Sequence, residues 1–245
     1  MRIAVVGGGY VGLVTGACFA ELGHTVDIVE IDAGKAAAIN AGRAPIHERG
    51  LDALLAKHAG VRLRAGTDYG PVALSDLAFI CVGTPPAADG SADLSMVAAA
   101  SRSIGEALRE GKSAHTVVVK STVPPGTTEN LVAPTVGNHS HRADTGFAMN
   151  PEFLREGRAV EDFLHPDRIV IGSRDGRSGD TVAAAYTGVS APVVRCGLTA
   201  AEMIKYASNA LLATKISFAN EVGNVCKRLG IDVYEVMEGV GMDHR

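Results

Sequence analysis

The chain has 245 residues, 47% of them hydrophobic, and 23 Lys and Arg residues against 27 Asp and Glu give it a formal charge of −4. This composition is typical of a folded globular protein and excludes a disordered or fibrous chain. The acidic balance, the lack of any basic block and an aromatic content of only 4% argue against nucleic acid or an anionic membrane as a partner. The 29 glycines indicate tight turns and a backbone that approaches a ligand closely.

The four cysteines are widely spaced and form no CxxC pair, so neither a metal site nor a disulfide framework is predicted. They are Cys18, Cys81, Cys196 and Cys226. We interpret all four as reduced, structural thiols of a cytoplasmic protein. No stretch of the sequence is apolar enough to cross a membrane.

The first thirty residues predict a strand at 3–6, a helix from 11 to about 22 and a second strand at 25–29. The turn between the first strand and the helix satisfies GxGxxG with Gly7, Gly9 and Gly12. In a dinucleotide site the first glycine permits the turn, the second admits the pyrophosphate and the third lets helix pack on strand. Free N–H groups at the helix N-terminus then face the phosphates.

Glu30, at the end of the second strand, supplies the acid that such a site places on the adenosine ribose hydroxyls. Ile31 and Asp32 follow it, with no arginine to pair with a 2′-phosphate. The sequence therefore predicts NAD rather than NADP.

The alternation of strands and helices continues along the chain. Strands are predicted at 77–82, 116–119, 147–149 and 168–171, with Ala-rich helices such as 94–110 between them. A cluster of Gly, Pro, Ser, Thr or Asn lies at the end of each strand, after Lys120 in the case of 116–119. This order predicts an α/β fold with a Rossmann-type, doubly wound parallel sheet, and ligands at the carboxyl ends of its strands.

The last predicted element is a long connecting helix over residues 199–229. It opens with a capping box of Thr199 and Glu202 and closes at Gly230. Lys205 and Asn209 are four residues apart and therefore share one face of it. We predict an NAD-binding domain over residues 1–195 and a central helical dimerisation region over 196–245.

Eight stretches resemble the UDP-glucose/GDP-mannose dehydrogenase family of nucleotide-sugar 6-dehydrogenases, in the family's order and across the whole chain. They are residues 7–13, 45–51 (PIHERGL), 82–86 (VGTPP), 120–126 (KSTVPPG), 150–157 (NPEFLREG), 166–172 (PDRIVIG), 205–209 (KYASN) and 241–245 (GMDHR). NPEFLREG together with PDRIVIG is the most specific part. It resembles enzymes that act on UDP-glucose more than those that act on UDP-N-acetylmannosamine or GDP-mannose.

The resemblance implies a cytoplasmic homodimer that oxidises the C6 alcohol of UDP-glucose to the carboxylate of UDP-glucuronate, with two NAD and one water. The first hydride transfer gives an aldehyde, a cysteine thiolate adds to it, and the second gives a thioester that water hydrolyses. Carried over position by position, Lys205 is the cation that faces the C6 oxygen, and Asn209 is its neutral hydrogen-bonding partner. Glu152 is the acid or base of thioester hydrolysis, and Thr122 holds the water.

The resemblance also implies two sets of binding residues. The cofactor set is Gly7, Gly9, Tyr10, Val11, Gly12, Glu30, Lys35, Val82, Gly83, Thr84, Pro85, Ser121, Thr122 and Glu156. The substrate set is Glu152, Phe153, Leu154, Arg155, Lys205, Asn209 and Arg245.

Two departures from the family pattern keep alternatives open. The ribose-binding acid of the family is usually Asp and is Glu30 here. The family's catalytic cysteine follows the GMDHR position, where this sequence ends, and none of the four cysteines replaces it. The alternatives are an NAD-binding and dimerisation module without turnover, a dehydrogenase of GDP-mannose or UDP-N-acetylmannosamine, and a β-hydroxyacid dehydrogenase.

Overall fold

The computed structural model describes residues 1–111 and 114–243. Its described residues form one eight-stranded sheet in the order β3-β2-β1-β4-β5-β6-β7-β8. The strands are β1 Arg2–Val6, β2 Thr25–Val29, β3 Leu63–Gly66, β4 Leu77–Ile80, β5 Thr116–Val119, β6 Gly146–Met149, β7 Ile169–Ser173 and β8 Val193–Cys196.

Helices connect these strands, and two more follow the sheet. They are α1 Tyr10–Glu21, α2 Ala33–Asn40, α3 Leu51–His58, α4 Gly70–Leu74, α5 Ser95–Leu108, α6 Ala133–Ser140, α7 Ala159–Leu164, α8 Gly176–Ala185, α9 Leu198–Leu229 and α10 Val233–Gly241. A π-helical turn, Thr128–Val132, precedes α6. Among the described residues, no helix combines the length and hydrophobicity that a bilayer span requires.

The central strands are buried along their whole length, which is why they appear in the sequence as continuous apolar runs. An aromatic cluster fills the core on one face of the sheet. Phe19 of α1 lies with its ring centroid 5.1 Å from those of Phe79 in β4 and Phe163 in α7. Tyr186, directly after α8, stacks on Phe163 at 5.6 Å. These contacts fix three helices on the sheet whose edge carries the candidate site.

The predicted Rossmann-type α/β fold followed by a long helix is confirmed, with one correction to the sheet. Strands β1 to β6 pair in parallel, but β7 pairs with β6 antiparallel, with Met149 opposite Gly172. Because β7 runs antiparallel to β6, the segment between them lies at the carboxyl end of β6. There the Asn150 side-chain amide donates to the Val170 carbonyl of β7 at 2.8 Å. The strand pattern does not encode this direction, since a buried strand has the same composition in either orientation.

The predicted capping box at the start of the long helix is wrong. Helix α9 begins at Leu198, one residue earlier than predicted. The Glu202 carboxylate is fully buried and accepts hydrogen bonds from the Thr128 N–H at 2.7 Å, the Thr128 hydroxyl at 2.6 Å and the Gly126 N–H. Glu202 therefore caps the π-helical turn after the KSTVPPG stretch and does not form a capping box on its own helix. The backbone of that helix begins with the hydrogen bond from the Ala201 N–H to the Gly197 carbonyl.

Two compact units divide the chain, Met1–Met203 and Ile204–Arg245. The first contains the whole sheet. The second comprises most of α9 and all of α10. The domain boundary predicted at residue 195 stays a prediction.

Candidate functional site

The GxGxxG turn has three glycines in three different situations. Gly7 has φ +103°, and a Cβ there would lie 2.8 Å from the Cys81 carbonyl oxygen. A Cβ at Gly12 would lie 1.8 Å from the Gly7 carbonyl oxygen, so only glycine lets α1 pack on this turn. A Cβ at Gly9 would meet nothing within 4 Å. The turn is therefore closed at Gly7 and Gly12 and open to a ligand at Gly9.

The open position coincides with the N-terminus of α1. Gly9 is the N-cap residue, and no side chain caps the helix there. The first turn of α1 contains no acidic residue, so its free N–H groups and the positive end of its dipole are available to an anion. Half-buried Tyr10 and Val11 form that first turn. This cradle fits the pyrophosphate of a dinucleotide.

Glu30 is buried at the end of β2, and backbone donors hold its carboxylate against the glycine turn. One oxygen accepts from the Gly8 N–H and the other from the Asp32 N–H, both at 2.9 Å. Asp32 in turn caps α2 and accepts from the Gly34 and Lys35 N–H groups at 2.8 and 3.1 Å. Two carboxylates therefore flank the place where an adenosine ribose would lie, and the side chain of Lys35 is exposed beside them.

The loops that follow β4 and β5 are joined by side-chain hydrogen bonds. Ser121 donates to the Val82 carbonyl at 2.6 Å, and Thr84 donates to the Thr122 carbonyl at 2.8 Å. These four residues, with Gly83 between Val82 and Thr84 and Pro85 directly after Thr84, are therefore held as one ledge. The ledge lies beside the glycine turn, since β1 neighbours β4, and this is the switch point where ligands bind in doubly wound sheets.

The predicted substrate residues of the 152–156 segment make contacts within the first unit. Glu152 accepts from the Leu154 N–H at 2.6 Å. The Phe153 ring lies 4.1 Å from the Arg168 guanidinium, a cation–π contact. Arg155 pairs with Asp162 at 2.6 Å, which lowers the pKa of that carboxyl. Glu156 is exposed.

A buried lysine beneath this segment was not predicted. Lys120, the residue directly after β5, donates to the Asn150 side-chain oxygen at 3.0 Å, to the Asn150 carbonyl at 3.4 Å and to the Tyr186 hydroxyl at 3.2 Å. Tyr186 also donates to the Asn150 side-chain oxygen at 2.6 Å. The cluster lines a cavity between the NPEFLREG and PDRIVIG stretches. A charged residue directly after the buried, valine-rich strand β5 was the signal that could have indicated it.

The cysteines of the first unit are in environments that favour the neutral thiol. Burial raises the pKa of Cys81 to about 12 and also raises the pKa values of Cys18 and Cys196. A thiol with a raised pKa is a poor nucleophile at neutral pH. Across residues 1–111 and 114–243, no group of three or more His, Cys, Asp or Glu side chains could hold a metal ion.

The remaining predicted residues belong to the second unit. Lys205 and Asn209 both lie on α9, four residues apart, and therefore share one face of the helix. Arg245 lies outside the described residues. The roles assigned to these three side chains stay predictions.

Comparison with known proteins gives matches along nearly the whole chain. Residues 1–190 match the model of the UDP-glucose/GDP-mannose dehydrogenase family, NAD binding domain, and residues 199–245 match the central domain of the same family. A UDP-glucose 6-dehydrogenase of Haloferax volcanii is 47% identical over 253 residues, which cover all of this chain and 59% of that protein. A GDP-mannose 6-dehydrogenase of Azotobacter vinelandii is 45% identical over 250 residues, covering all of this chain and 57% of that protein.

Solved structures give the same result. A ternary complex of GDP-mannose dehydrogenase from Pseudomonas aeruginosa superposes with a TM-score of 0.97 at 44% identity, over 100% of this chain and 57% of that one. A UDP-glucose dehydrogenase from the archaeon Pyrobaculum islandicum gives 0.95 at 49% identity, over 99% and 56%. The chain thus spans less than three fifths of the length of these relatives.

Proposed function

Because this chain belongs to the UDP-glucose/GDP-mannose dehydrogenase family, and its first 190 residues match the family's NAD-binding domain, we propose that it forms the NAD-binding and central part of an enzyme that oxidises UDP-glucose at C6 to UDP-glucuronate. The observation that carries the proposal is the glycine turn, which is open only at Gly9 and lies beside the Glu30 carboxylate. Family membership decides against a β-hydroxyacid dehydrogenase.

The glycine turn, the first turn of α1 and Glu30 would hold the pyrophosphate and adenosine ribose of NAD, and the 82–85 and 121–122 ledge would line its nicotinamide. When bound, NAD accepts hydride from C6. The negative charges of Glu30 and Asp32 disfavour a 2′-phosphate. We therefore expect the chain to bind NAD⁺ at least about tenfold more tightly than NADP⁺ in calorimetric titration, a difference of about 1.4 kcal/mol. Equal affinities would contradict the role of Glu30.

The chemical roles follow from the residue types. The Lys205 ammonium stabilises negative charge that develops on the C6 oxygen, and the Asn209 amide donates a hydrogen bond to the same region. Glu152 moves the proton of the hydrolytic water, which Thr122 holds. For the protein as its source makes it, we propose a cysteine thiolate as the nucleophile, and we assign that role to none of the four thiols of this chain.

The test is NADH formation by that protein with UDP-glucose. Lys205→Ala should lower kcat at least about a hundredfold, the loss seen when one group that stabilises an oxyanion is removed. Its NAD⁺ affinity should be unchanged. Lys215→Ala, an exposed lysine on the same helix, is the matched control. Equal turnover of the two variants would contradict the role of Lys205.

GDP-mannose is the second candidate substrate, because relatives of both kinds match at 44–49% identity. Assays with UDP-glucose, GDP-mannose and UDP-N-acetylmannosamine at equal concentration would separate them. We expect the highest kcat/KM with UDP-glucose. Binding of NAD⁺ without NADH formation from any of the three would instead support the module without turnover.

We also propose a homodimer formed through the second unit, which exposes many large hydrophobic side chains. These are Leu211, Leu212, Ile216, Phe218, Val225, Leu229, Ile231, Tyr234, Val240 and Met242. A second copy of the chain would bury this surface, which lies within the match to the central domain. Sedimentation velocity should show a dimer that Leu212→Glu dissociates and the control Val61→Glu, an exposed valine of the first unit, does not. A monomeric wild type would contradict the proposal.

A further inference from the structure

The PIHERGL stretch has no role in the function proposed above, yet its Glu48 is at the junction of three segments. The Glu48 side chain is 3% exposed. Its carboxylate accepts hydrogen bonds from the Tyr10 hydroxyl, from the Gly157 N–H at 2.8 Å and from the Ala159 N–H at 3.1 Å. Tyr10 is the first residue of α1, Gly157 directly follows the 152–156 segment, and Ala159 is the first residue of α7.

The chemistry of the junction requires a charged carboxylate and a protonated phenol. Burial by itself would raise the pKa of Glu48, but the hydrogen bonds from Tyr10, Gly157 and Ala159 outweigh it and lower that pKa. Burial and the neighbouring Glu48 charge raise the pKa of Tyr10, so its hydroxyl keeps the proton that it donates. Hydrogen bonds to a buried charge are stronger than those between neutral groups.

The Gly157 and Ala159 N–H groups belong to a turn whose hydrogen-bond acceptor, Glu48, comes from a distant part of the chain. Gly157 has φ +83° and is exposed, and the turn leads into α7, whose N-terminus has no side-chain cap. Glu48 accepts from the Ala159 N–H at the start of that helix and so supplies the missing acceptor. The position of the turn, and of the 152–156 segment before it, therefore depends on the position of Glu48.

We propose that Glu48 is a positioning residue that couples the NAD site to the 152–157 segment. The proposal rests on the function given above, in which Glu152 of that segment moves the proton of the hydrolytic water. NAD bound at the first turn of α1 fixes Tyr10, Tyr10 fixes the Glu48 carboxylate, and the carboxylate fixes the Gly157 and Ala159 amides. Because coupling between two sites is reciprocal, a nucleotide sugar that orders the segment also strengthens NAD binding.

Hydrogen–deuterium exchange of this chain with and without saturating NAD⁺ tests the coupling without any turnover. In the wild type we expect NAD⁺ to slow exchange at least about fivefold, the lower end of typical coupling strengths, in peptides covering both 7–13 and 152–160. Glu48→Gln should retain the slowing at 7–13 and lose it at 152–160. Glu161→Gln, an exposed glutamate of α7, is the matched control and should behave as the wild type.

Tyr10→Phe keeps the proposal testable if Glu48→Gln does not fold. It removes one hydroxyl and leaves the two amide bonds of Glu48, so basal protection at 152–160 should persist while the response there to NAD⁺ disappears. A response at 152–160 that survives in Tyr10→Phe would overturn the proposal, as would a wild-type response confined to 7–13. Absence of any response at 7–13 would instead overturn the NAD site itself.

Discussion

The loop after β1 and the segment after β6 lie at the same edge of the sheet but are built in opposite ways. The first is shaped by missing side chains, since Gly7 and Gly12 pack backbone against backbone and Gly9 leaves open space. The second is shaped by polar side chains from distant positions, since Lys120 and Tyr186 donate hydrogen bonds to the Asn150 side-chain oxygen. The edge thus combines an open steric cradle with a platform held by hydrogen bonds.

This difference determines how each region fails. Adding atoms harms the glycine turn, because its contacts are already closer than a Cβ allows. Removing atoms harms the segment after β6, because each lost donor removes a hydrogen bond from the buried Asn150 side-chain oxygen. Substitutions that add atoms should therefore destabilise the glycine turn, and substitutions that remove hydrogen-bonding atoms should destabilise the segment after β6.

The largest effect is expected for Gly12→Ala. The new Cβ would lie 1.8 Å from the Gly7 carbonyl oxygen, so α1 must move away from the sheet. We expect the free energy of unfolding in urea to fall by at least about 3 kcal/mol, the upper end for an overpacked core. Gly137→Ala in α6, where a Cβ meets nothing within 4 Å, is the control and should lose no stability. Equal stability of both variants would contradict the steric account.

A smaller effect is expected for Lys120→Met, which keeps most of the length of the side chain and removes its charge and hydrogen bonds. Loss of charged hydrogen bonds to Asn150 should reduce the free energy of unfolding by about 2 kcal/mol. Tyr186→Phe, which removes one hydroxyl from the same cluster, should cost about 1 kcal/mol. A Lys120→Met variant as stable as the wild type would show that desolvation of the ammonium cancels its hydrogen bonds.

The same contrast explains which parts of the molecule the sequence predicts. The glycine turn, its flanking strands and Glu30 all lie within the first thirty residues, so the spacing of a short stretch of sequence predicts them. Lys120 and Glu48 act on partners 30 to 111 residues away. A charge directly after a buried strand marks Lys120, but nothing in the local sequence identifies the partners of either side chain. Glu202 shows how a local pattern can mislead. The capping-box spacing is present, but the carboxylate accepts its hydrogen bonds from Thr128, 74 residues away.

Gly9→Ala separates binding from folding at the open point of the cradle. Its Cβ meets nothing within 4 Å, so the melting temperature should stay that of the wild type. The methyl group would occupy the space where we propose that the pyrophosphate approaches, and we expect calorimetry to show NAD⁺ binding weakened about tenfold, or about 1.4 kcal/mol. Unchanged affinity would place the pyrophosphate elsewhere.

The smallest effect is a pH dependence confined to the second region. The pKa of Glu48 lies below its ordinary value of 4.5 in the folded chain, because its hydrogen bonds outweigh burial. A lowered folded-state pKa adds stability above the ordinary value, and this stability is lost as the pH falls through the folded one. The difference in unfolding free energy between wild type and Glu48→Gln should therefore be constant from pH 7 to about 5.5 and should narrow below about 4.5. Gly9→Ala removes no titratable group, so its difference from the wild type should not change over that range. If that difference in unfolding free energy instead stays constant into the acid range, Glu48 accepts its hydrogen bonds as a neutral carboxyl group. The segment after β6 would then depend on shape and not on charge, as the glycine turn does.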